Sequence, residues 1–369
     1  MSFLTIFPED VYPVSRLAET IRTDAFDIDT AQALMWLSQA AYETTADGTE
    51  APGPTKLERL LERWGFACRA RLSQGGTEGF VAESESALVV AFAGTDPVVA
   101  ANWITNFDIR TGTDGIHRGF AEGVESVWPA LAAALDGTSK PIFLAGHSLG
   151  GALAVVAGWH LTGDDQGLGG LGVPPERIAG LVTFGMPRVG DEAFAAAYKA
   201  RGLWETTVRL EYGGDIVPTV PPAASGPLGF RHVGLVLRCP HGGQFADWLP
   251  PRDDPDDIRS PLEDMANRAG GEALRKWQEG WGRILNHGVP RSPAGGTATL
   301  LIDRLPFFFR DHLQDCYLEA LGWSFARPSE SRVAISADAA DAFVQESEAS
   351  IEASAGDLSG LLRRLFPGA

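Results

Sequence analysis

A serine flanked by glycines is the feature of this chain that most directly suggests covalent chemistry. Residues 146–150 read GHSLG and have the G-x-S-x-G spacing of a nucleophile elbow. In such an elbow the serine occupies a strained turn between a strand and a helix, and larger residues two positions before or after it would clash. The spacing alone is weak evidence in a chain with 43 glycines, where a glycine-rich turn is the alternative interpretation.

The segments on either side of this serine strengthen the interpretation. The apolar run at residues 142–145 enters the motif as a strand would, and the alanine-rich run at residues 151–157 leaves it as a helix would. This strand–turn–helix context is where a serine hydroxyl projects over the edge of a sheet. We therefore predict Ser148 as a nucleophile, and the backbone N–H of Leu149, at the start of the helix, as one oxyanion donor.

A nucleophilic serine needs a general base, and the base needs a carboxylate that orients it. Asp215 follows the strand-like segment Thr207–Tyr212 through two glycines, so it lies in a loop at a strand end, where α/β folds place functional groups. A turn residue beside glycines is its alternative interpretation. Asp191 has the same chemistry, but its position better suits the N-cap of a helix predicted over residues 191–200.

The elements that would position these groups alternate along the chain. Helices are predicted at residues 31–42, 56–64, 119–135, 153–161 and 191–200, and strands at residues 79–84, 87–92, 142–145, 178–184 and 207–212. The strand at 87–92 is apolar at nearly every position, as expected for a strand covered on both faces. This alternation predicts an α/β fold with a mainly parallel central sheet flanked by helices.

Three parts of the chain lie outside this alternation. Residues 1–25 are expected to form a loose N-terminal arm. Residues 245–300, rich in proline, aspartate and glycine, are predicted to form an inserted subdomain. Residues 329–369 form a tail rich in alanine, serine and acidic residues. The main domain is therefore expected over residues 26–328.

The charge balance constrains the partners. The chain has 369 residues, with 30 basic and 48 acidic side chains and a net charge of −18. Such a chain repels nucleic-acid phosphates and anionic bilayers, so neither is an expected partner. No apolar run is long enough to span a membrane, and the first residues lack the pattern of a signal peptide. We expect a protein that is cytoplasmic or exported without a recognisable signal, and is not stably inserted in a membrane.

Metal-binding and disulfide patterns are weak in this sequence. Cys68, Cys239 and Cys316 are scattered and odd in number, which excludes a disulfide framework and a CxxC metal knuckle and favours small buried side chains. An acidic cluster at residues 253–257 offers oxygen ligands that would suit calcium, but it lacks the EF-hand spacing. A solvated loop is the favoured interpretation, and no metal site is predicted.

Several segments together resemble the fungal-type, class 3 lipase family of α/β-hydrolases. The matching stretches are VVAFAGT (89–95), NWI (102–104), HRGF (117–120), the GHSLG elbow, TFGMPRVG (183–190), DIVPTVPP (215–222), HVG (232–234) and DHL (311–313), in the family's order. The resemblance runs from about residue 31 to residue 321. The GxPRVG and DIVPxxPP blocks are highly specific together.

This resemblance implies an α/β-hydrolase fold with an inserted subdomain before the catalytic histidine, and a Ser-Asp-His triad. The DIVP block makes Asp215 the acid, and the DHL segment makes His312 the base. The base follows the acid in the chain order of α/β-hydrolases, which leaves His232, His241 and His287 as the other candidates. Of these, His232 matches an upstream family histidine with a structural position.

The resemblance also assigns the second oxyanion donor and a lid. Thr95 matches the family residue whose backbone N–H binds the oxyanion, with a turn residue as the alternative. Residues 96–108 match the lid segment, where Val99, Trp103 and Phe107 recur at four-residue spacing and give a predicted helix one apolar face. We expect a mobile lid that covers the serine. A fixed helix packed into the core is the alternative.

These residues predict the hydrolysis of carboxylic esters, above all acylglycerols, through an acyl-enzyme and without a cofactor. A phospholipase A1 or a feruloyl-type esterase is the alternative within the same family. A hydrolase-like binding module without catalysis is the alternative from another class, and the complete Ser-Asp-His set argues against it. The expected partner is an ester lipid, presented at an oil–water interface.

Overall fold

A seven-stranded sheet forms the centre of the computed structural model, which describes residues 7–45, 53–94, 111–112, 114–163, 170–221, 223, 229–253 and 310–325. The strands of this sheet are β1 (Ala67–Gln74), β2 (Thr77–Glu83), β3 (Leu88–Phe92), β4 (Ile142–His147), β5 (Ile178–Phe184), β7 (Thr207–Tyr212) and β9 (Leu235–Cys239). They lie side by side in that order. A separate pair joins the short strands β6 (Gly190–Asp191) and β8 (Phe230–Arg231).

Most of the sheet is parallel, as the sequence predicts. Strands β1, β2 and β3 pair antiparallel, and from β3 through β9 each strand runs parallel to its neighbour. Parallel neighbours place their carboxyl ends along one edge of the sheet, so the loops after β4, β5 and β7 meet there. The α/β fold with a mainly parallel sheet is confirmed.

Six helices accompany the sheet in the described residues: α1 (Ile28–Ala40), α2 (Lys56–Trp64), α3 (Arg118–Leu135), α4 (Leu149–Thr162), α5 (Glu192–Ala200) and α6 (Gln314–Ala320). Their starts follow capping chemistry. Thr55 and Glu58 form a capping box at α2. The side chain of Asp191 accepts a hydrogen bond from the Phe194 N–H at 2.8 Å, so the predicted N-cap of α5 is confirmed.

The helices cover both faces of the sheet. Successive residues of β3 alternate between two apolar clusters: Val89 and Ala91 pack in one, and Val90 and Phe92 in the other. The first cluster includes side chains of α1, α2 and α6, and the second includes those of α3, α4 and α5. Because neighbouring strand residues point to opposite faces, the two clusters are the two layers of the core. This explains why β3 is apolar throughout.

The N-terminal segment differs from the loose arm that the sequence suggested. Phe7, Tyr12 and Leu17 are buried against the first cluster. The indole N–H of Trp64 donates to the carbonyl of Pro13 at 2.8 Å. Aromatic side chains gain enough from burial to hold such a segment in place. Residues 7–21 are therefore anchored to the core by these buried side chains.

The strands β1 and β9, the helix α6 and the short strands β6 and β8 were not predicted. The other differences are small, since β2 begins at Thr77 and α1 begins at Ile28 and continues into a short 3-10 turn at Ala41–Thr45. The lid segment, most of the insertion (254–300) and the tail lie outside the described residues, so these boundaries remain predictions. None of the described helices is long and apolar enough to cross a bilayer.

Candidate active site

The turn between β4 and α4 has the strained geometry expected of a nucleophile elbow. Ser148 has φ 58° and ψ −130°. Among the described residues that are not glycine, it alone has a positive φ. A side chain on Gly146 would overlap the backbone of Gly150, and one on Gly150 would overlap the carbonyl of Phe92. The Ser148 N–H donates to the carbonyl of Phe184 at 2.8 Å. Gly146 and Gly150 are therefore required, because the neighbouring backbone comes too close to leave room for a side chain.

The structure brings the three predicted triad residues into one hydrogen-bond chain. Ser148 Oγ lies 2.9 Å from His312 Nε2, and His312 Nδ1 lies 2.9 Å from Asp215 Oδ2. The exposed fractions of Ser148, Asp215 and His312 are 2%, 8% and 4%. When Nδ1 carries the proton, it donates to the carboxylate and leaves Nε2 free to accept the serine proton. This is the arrangement in which a serine can be activated.

Asp215 is held in place from both of its oxygens. Oδ1 accepts from the Val217 N–H at 2.9 Å, which closes the turn that follows β7. Oδ2 accepts from the Tyr317 hydroxyl at 2.7 Å as well as from His312. Burial, followed by the nearby Asp215 carboxylate, raises the pKa of Tyr317 well above its usual value. Tyr317 therefore stays a hydrogen-bond donor to the acid.

Gly185, at the end of β5, makes room for the acid–base pair. Its φ is +59°, and a Cβ there would lie 2.5 Å from Asp215 Oδ2 and 3.0 Å from His312 Nδ1. This glycine lies in the TFGMPRVG block, where no role was predicted for it. Its location after a parallel strand was the signal, because such loops meet at the edge that carries Ser148.

His147 contacts the backbone of the base, His312. Its Nδ1 lies 3.0 Å from the Tyr42 hydroxyl, and its Nε2 lies 2.7 Å from the carbonyl oxygen of His312. The rings of His147 and His312 are 4.6 Å apart. Burial, and then the nearby His312, lower the pKa of His147 well below its usual value. A neutral His147 therefore donates from Nε2, accepts from Tyr42 and adds no positive charge beside the base.

His232 contacts the loop that carries Asp215 (residues 213–218, the acid loop) and not the serine. Its Nε2 lies 2.7 Å from the carbonyl oxygen of Pro218. Burial, followed by Arg209 and Arg188, lowers the pKa of His232 well below its usual value, so the ring is neutral. This contact fits the structural position that the resemblance implies. His287, another candidate, lies outside the described residues.

Of the predicted oxyanion donors, the structure describes Leu149. It is the first residue of α4, so its N–H is one of the first-turn donors without an acceptor inside the helix. The backbone that leads to the other donor passes close to the elbow, because a Cβ on Gly94 would lie 2.6 Å from the carbonyl of His147 and 2.9 Å from Ser148 Cβ. The following predicted residues lie outside the described part: Thr95, Val99, Trp103 and Phe107.

The part of the chain that the structure describes does not suggest a metal-binding site. It contains no cluster of three or more His, Cys, Asp or Glu side chains arranged to hold a metal ion. Asp253, the first residue of the acidic cluster, pairs with Lys199 Nζ at 3.0 Å on the surface, and residues 254–257 are outside the described part. Cys239 and Cys316 are buried, and Cys68 is half-buried. Burial raises the pKa of Cys239 to about 11.

Comparison with known proteins places this site in a family context. Residues 89–225 match the family described as "Lipase (class 3)". The secreted mono- and diacylglycerol lipase 1 of Fusarium solani is 33% identical over 168 residues, which cover 42% of this chain and 46% of that protein. A lipase of Rhizomucor miehei is 32% identical over 165 residues, or 41% of each chain. The chain thus spans about half the length of these relatives or less.

Solved structures of fungal lipases are similar at lower identity. Lipase II from Rhizopus niveus is 23% identical, with a TM-score of 0.45, and the match covers 58% of this chain and 82% of that one. The native propeptide complex of Rhizomucor miehei lipase is also 23% identical, with a TM-score of 0.48, and the match covers 64% of this chain and 74% of that one. The family match, which includes the elbow and Asp215, confirms the resemblance to class 3 lipases.

Proposed function

We propose that this chain hydrolyses carboxylic esters of lipids, with acylglycerols as the substrate class and Ser148 as the nucleophile. The observation that carries the proposal is the unbroken hydrogen-bond chain from Ser148 Oγ through His312 to Asp215, set on a strained elbow. The match to class 3 lipases, among them a mono- and diacylglycerol lipase of Fusarium solani, supports the substrate class.

In the first step, Ser148 Oγ attacks the carbonyl carbon of the ester while His312 Nε2 takes its proton. The imidazole becomes positively charged, and Asp215 stabilises that charge through the hydrogen bond at Nδ1. Tyr317 and the Val217 N–H keep the carboxylate oriented, so little reorganisation accompanies the proton transfer.

In the next steps, the tetrahedral intermediate collapses and His312 gives its proton to the leaving alcohol. The negative oxygen of the intermediate binds the N–H of Leu149, at the positive end of α4, and the N–H of Thr95. A water molecule, deprotonated by the same histidine, then attacks the carbonyl carbon of the acyl-enzyme. The bond to Ser148 Oγ breaks, His312 returns the proton to that oxygen, and the fatty acid is released. Each of these steps uses protein groups and water, and no cofactor takes part.

The apolar face predicted for residues 96–108 supports a lipid substrate. Val99, Trp103 and Phe107 would face the acyl chains or the lipid surface when the lid moves aside. An oil–water interface is therefore the proposed setting of the reaction, and the ester lipid itself is the proposed partner.

A substrate panel tests this proposal against its alternatives. p-Nitrophenyl esters from acetate to palmitate, emulsified triolein, phosphatidylcholine and methyl ferulate should be compared at equal enzyme concentration. Release of fatty acid from triolein above the other substrates supports an acylglycerol lipase. Preference for phosphatidylcholine or ferulate would instead identify a phospholipase A1 or a feruloyl-type esterase.

Covalent labelling separates an enzyme from a binding module. A fluorophosphonate probe should label the wild-type chain at Ser148 and should not label the Ser148→Ala variant. Ser126→Ala, which removes a half-buried hydroxyl of α3 that bonds to the Gln74 carbonyl, is the matched control and should leave the labelling unchanged. A folded wild-type chain that neither reacts with the probe nor hydrolyses any ester would overturn the proposal.

A further inference from the structure

The residue before the proposed base binds the residue before the proposed acid. Asp311 directly precedes His312, and its side chain is fully buried. Its Oδ2 accepts a hydrogen bond from the N–H of Gly214 at 2.8 Å, and Gly214 directly precedes Asp215. The Asp311 carboxylate thus ties together the two loops whose ends carry the acid and the base.

The acid loop is pressed closely against this carboxylate. Gly213 has φ +56°, and a Cβ at this position would overlap Asp311 Oδ2. The N–H of Gly213 also donates to the carbonyl of Cys239 at 2.8 Å, so the loop is held on its other side by β9. Such an approach is open to glycine alone. A shift of Asp311 would therefore move the loop that positions Asp215.

The other oxygen of Asp311 faces a histidine at the surface. Asp311 Oδ1 lies 2.8 Å from His241 Nδ1. The side chain of Asp311 is 0% exposed, whereas that of His241 is 55% exposed. A buried carboxylate is costly without a partner, and this partner can exchange protons with bulk water. His241 thus connects the buried carboxylate to the solvent.

Two titratable groups near this pair, Tyr212 and Cys239, keep a constant charge where imidazoles titrate. Tyr212 packs beside His241 with the ring centroids 5.9 Å apart, and its hydroxyl accepts from the Gly242 N–H at 2.8 Å. Burial, followed by Cys316 and Asp311, raises the pKa of Tyr212. The pKa of Cys239 is raised to about 11 by burial, with Asp247 adding to the effect. Tyr212 and Cys239 are thus neutral in this range.

We propose that Asp311 is a positioning residue for the Asp215–His312 pair, and that its contact with His241 couples the basicity of His312 to the charge of a surface histidine. This inference rests on the proposed function, in which His312 is the base. In that role the His312 ring becomes positively charged, a buried negative charge one residue away stabilises it, and a positive charge on His241 offsets that effect. The two side chains therefore act on His312 in opposite directions.

Opposite shifts of a pH profile test the charge coupling. The Asp311→Asn variant keeps an acceptor for Gly214 but removes the negative charge, so the acidic limb of kcat/KM should move to lower pH. The His241→Gln variant removes the positive charge that offsets Asp311, so the limb should move to higher pH. Each shift should be about half a pH unit or more. Glu122→Gln, which removes an exposed acid on α3, is the control and should leave the limb in place.

A second comparison tests the positioning role. The Asp311→Ala variant leaves the Gly214 N–H without its acceptor, so kcat on dissolved p-nitrophenyl butyrate should fall by roughly 10- to 100-fold while KM changes little. The Asp311→Asn variant should recover most of this loss, since its amide oxygen can accept from the same N–H. Equal kcat values for Asp311→Ala and the wild-type chain would overturn the positioning role.

A measurement without catalysis keeps this inference separate from the proposed function. The pH titration of the His312 ring can be followed by NMR in the Ser148→Ala background, with and without Asp311→Asn or His241→Gln. Opposed shifts of this titration support the coupling, even if the wild-type chain hydrolyses no ester. Absent shifts, or shifts in the same direction for both variants, overturn the coupling, even if the chain is an active esterase.

Discussion

The hydroxyl of Tyr317 donates a 2.7 Å hydrogen bond to Asp215 Oδ2, the same oxygen that lies 2.9 Å from His312 Nδ1. The Tyr317 hydroxyl also accepts from the N–H of Tyr212, at the end of β7, at 3.2 Å. It therefore bridges the strand that leads to the acid and the acid itself. Asp215 is thus oriented both by Tyr317 of α6, the helix that follows His312, and by the Val217 N–H of its own loop.

The Tyr317→Phe variant should lower kcat about tenfold, the cost of one hydrogen bond to a charged group. The loss should appear in kcat rather than KM, because Tyr317 acts through Asp215. Tyr198→Phe is the matched control: it also removes a buried hydroxyl, which bonds to Thr207 at 2.8 Å, but in the other layer of the core. An equal loss of kcat in both variants would show a general effect on stability.

The two histidines near the acid loop should differ sharply when truncated. His312→Ala should reduce kcat/KM on p-nitrophenyl acetate by about 10⁴-fold or more, since triad members act as a unit. His232→Ala removes a contact with the Pro218 carbonyl, so it should mainly lower the melting temperature and leave a substantial rate. The reverse pattern would mean that His232 is the base.

Gly185→Ala should disrupt the acid–base pair directly. The new Cβ would lie 2.5 Å from Asp215 Oδ2, so kcat/KM should fall by roughly 100-fold. Gly137→Ala is the matched control, because Gly137 also has positive φ (+69°) but has nothing within 4 Å of an added Cβ. It should cost about 1 kcal/mol of unfolding free energy and leave the rate unchanged. Full activity of Gly185→Ala would contradict the described geometry.

Stability should fall as the pH drops below about 6.5, the usual pKa of histidine. Burial lowers the pKa of His147 and of His232 well below that value in the folded chain, so the unfolded chain binds protons there that the folded chain does not. Each buried histidine should contribute a slope of about 1.4 kcal/mol per pH unit to the free energy of unfolding.

Urea unfolding about one pH unit above and one below the usual histidine value measures this slope. The His232→Gln variant should lose about half of the contribution that the two histidines make together. Lys199→Gln changes the net charge at the surface without removing a histidine, and should leave the slope as it is. A free energy of unfolding that is constant across this window contradicts the prediction.

The predicted lid should respond to a lipid surface. Exposing the apolar face of residues 96–108 to water costs roughly 25 cal/mol per Å², and an interface removes that cost. Activity on a short ester should therefore rise more than proportionally once the substrate passes its solubility limit. Trp103→Ser should weaken this rise and affect dissolved p-nitrophenyl acetate less. A smooth saturation curve, identical in the variant, indicates a fixed helix.

The central strands and the candidate triad could be predicted because their signals are local. The bounds of β5 (Ile178–Phe184), β7 (Thr207–Tyr212) and α2 (Lys56–Trp64) agree with the predicted ones. The first is a mainly apolar run, the second alternates apolar and polar residues, and the third is an amphipathic helix with a clear start. Ser148 is marked by its flanking glycines. Asp215 and His312 needed the family resemblance to single them out from other acids and histidines.

The missed elements lack such local signals. In β1 (Ala67–Gln74), Cys68, Ala70 and Leu72 alternate with polar residues, but Leu72 is the one large apolar side chain among them and the one that is fully buried. The alternation is therefore a weak signal. In α6 (Gln314–Ala320), polar as well as apolar side chains are buried, which hides the amphipathic pattern of a helix. Tyr317 and Asp215 meet across 102 residues of sequence. Contacts between residues so far apart in the chain depend on how the helices pack on the sheet. The local sequence pattern therefore does not predict them.

The helix that follows His312 docks on the first described helix. The Gln32 side chain donates to the Leu321 carbonyl at 2.8 Å across 289 residues, and the rings of Trp36 and Trp323 lie 5.1 Å apart. A chain emerging from the ribosome folds its N-terminal parts first. Such a chain holds Ser148 and Asp215 well before His312 has been synthesised. In the proposed mechanism, hydrolysis thus begins only when synthesis has passed residue 312 and α6 has closed against α1.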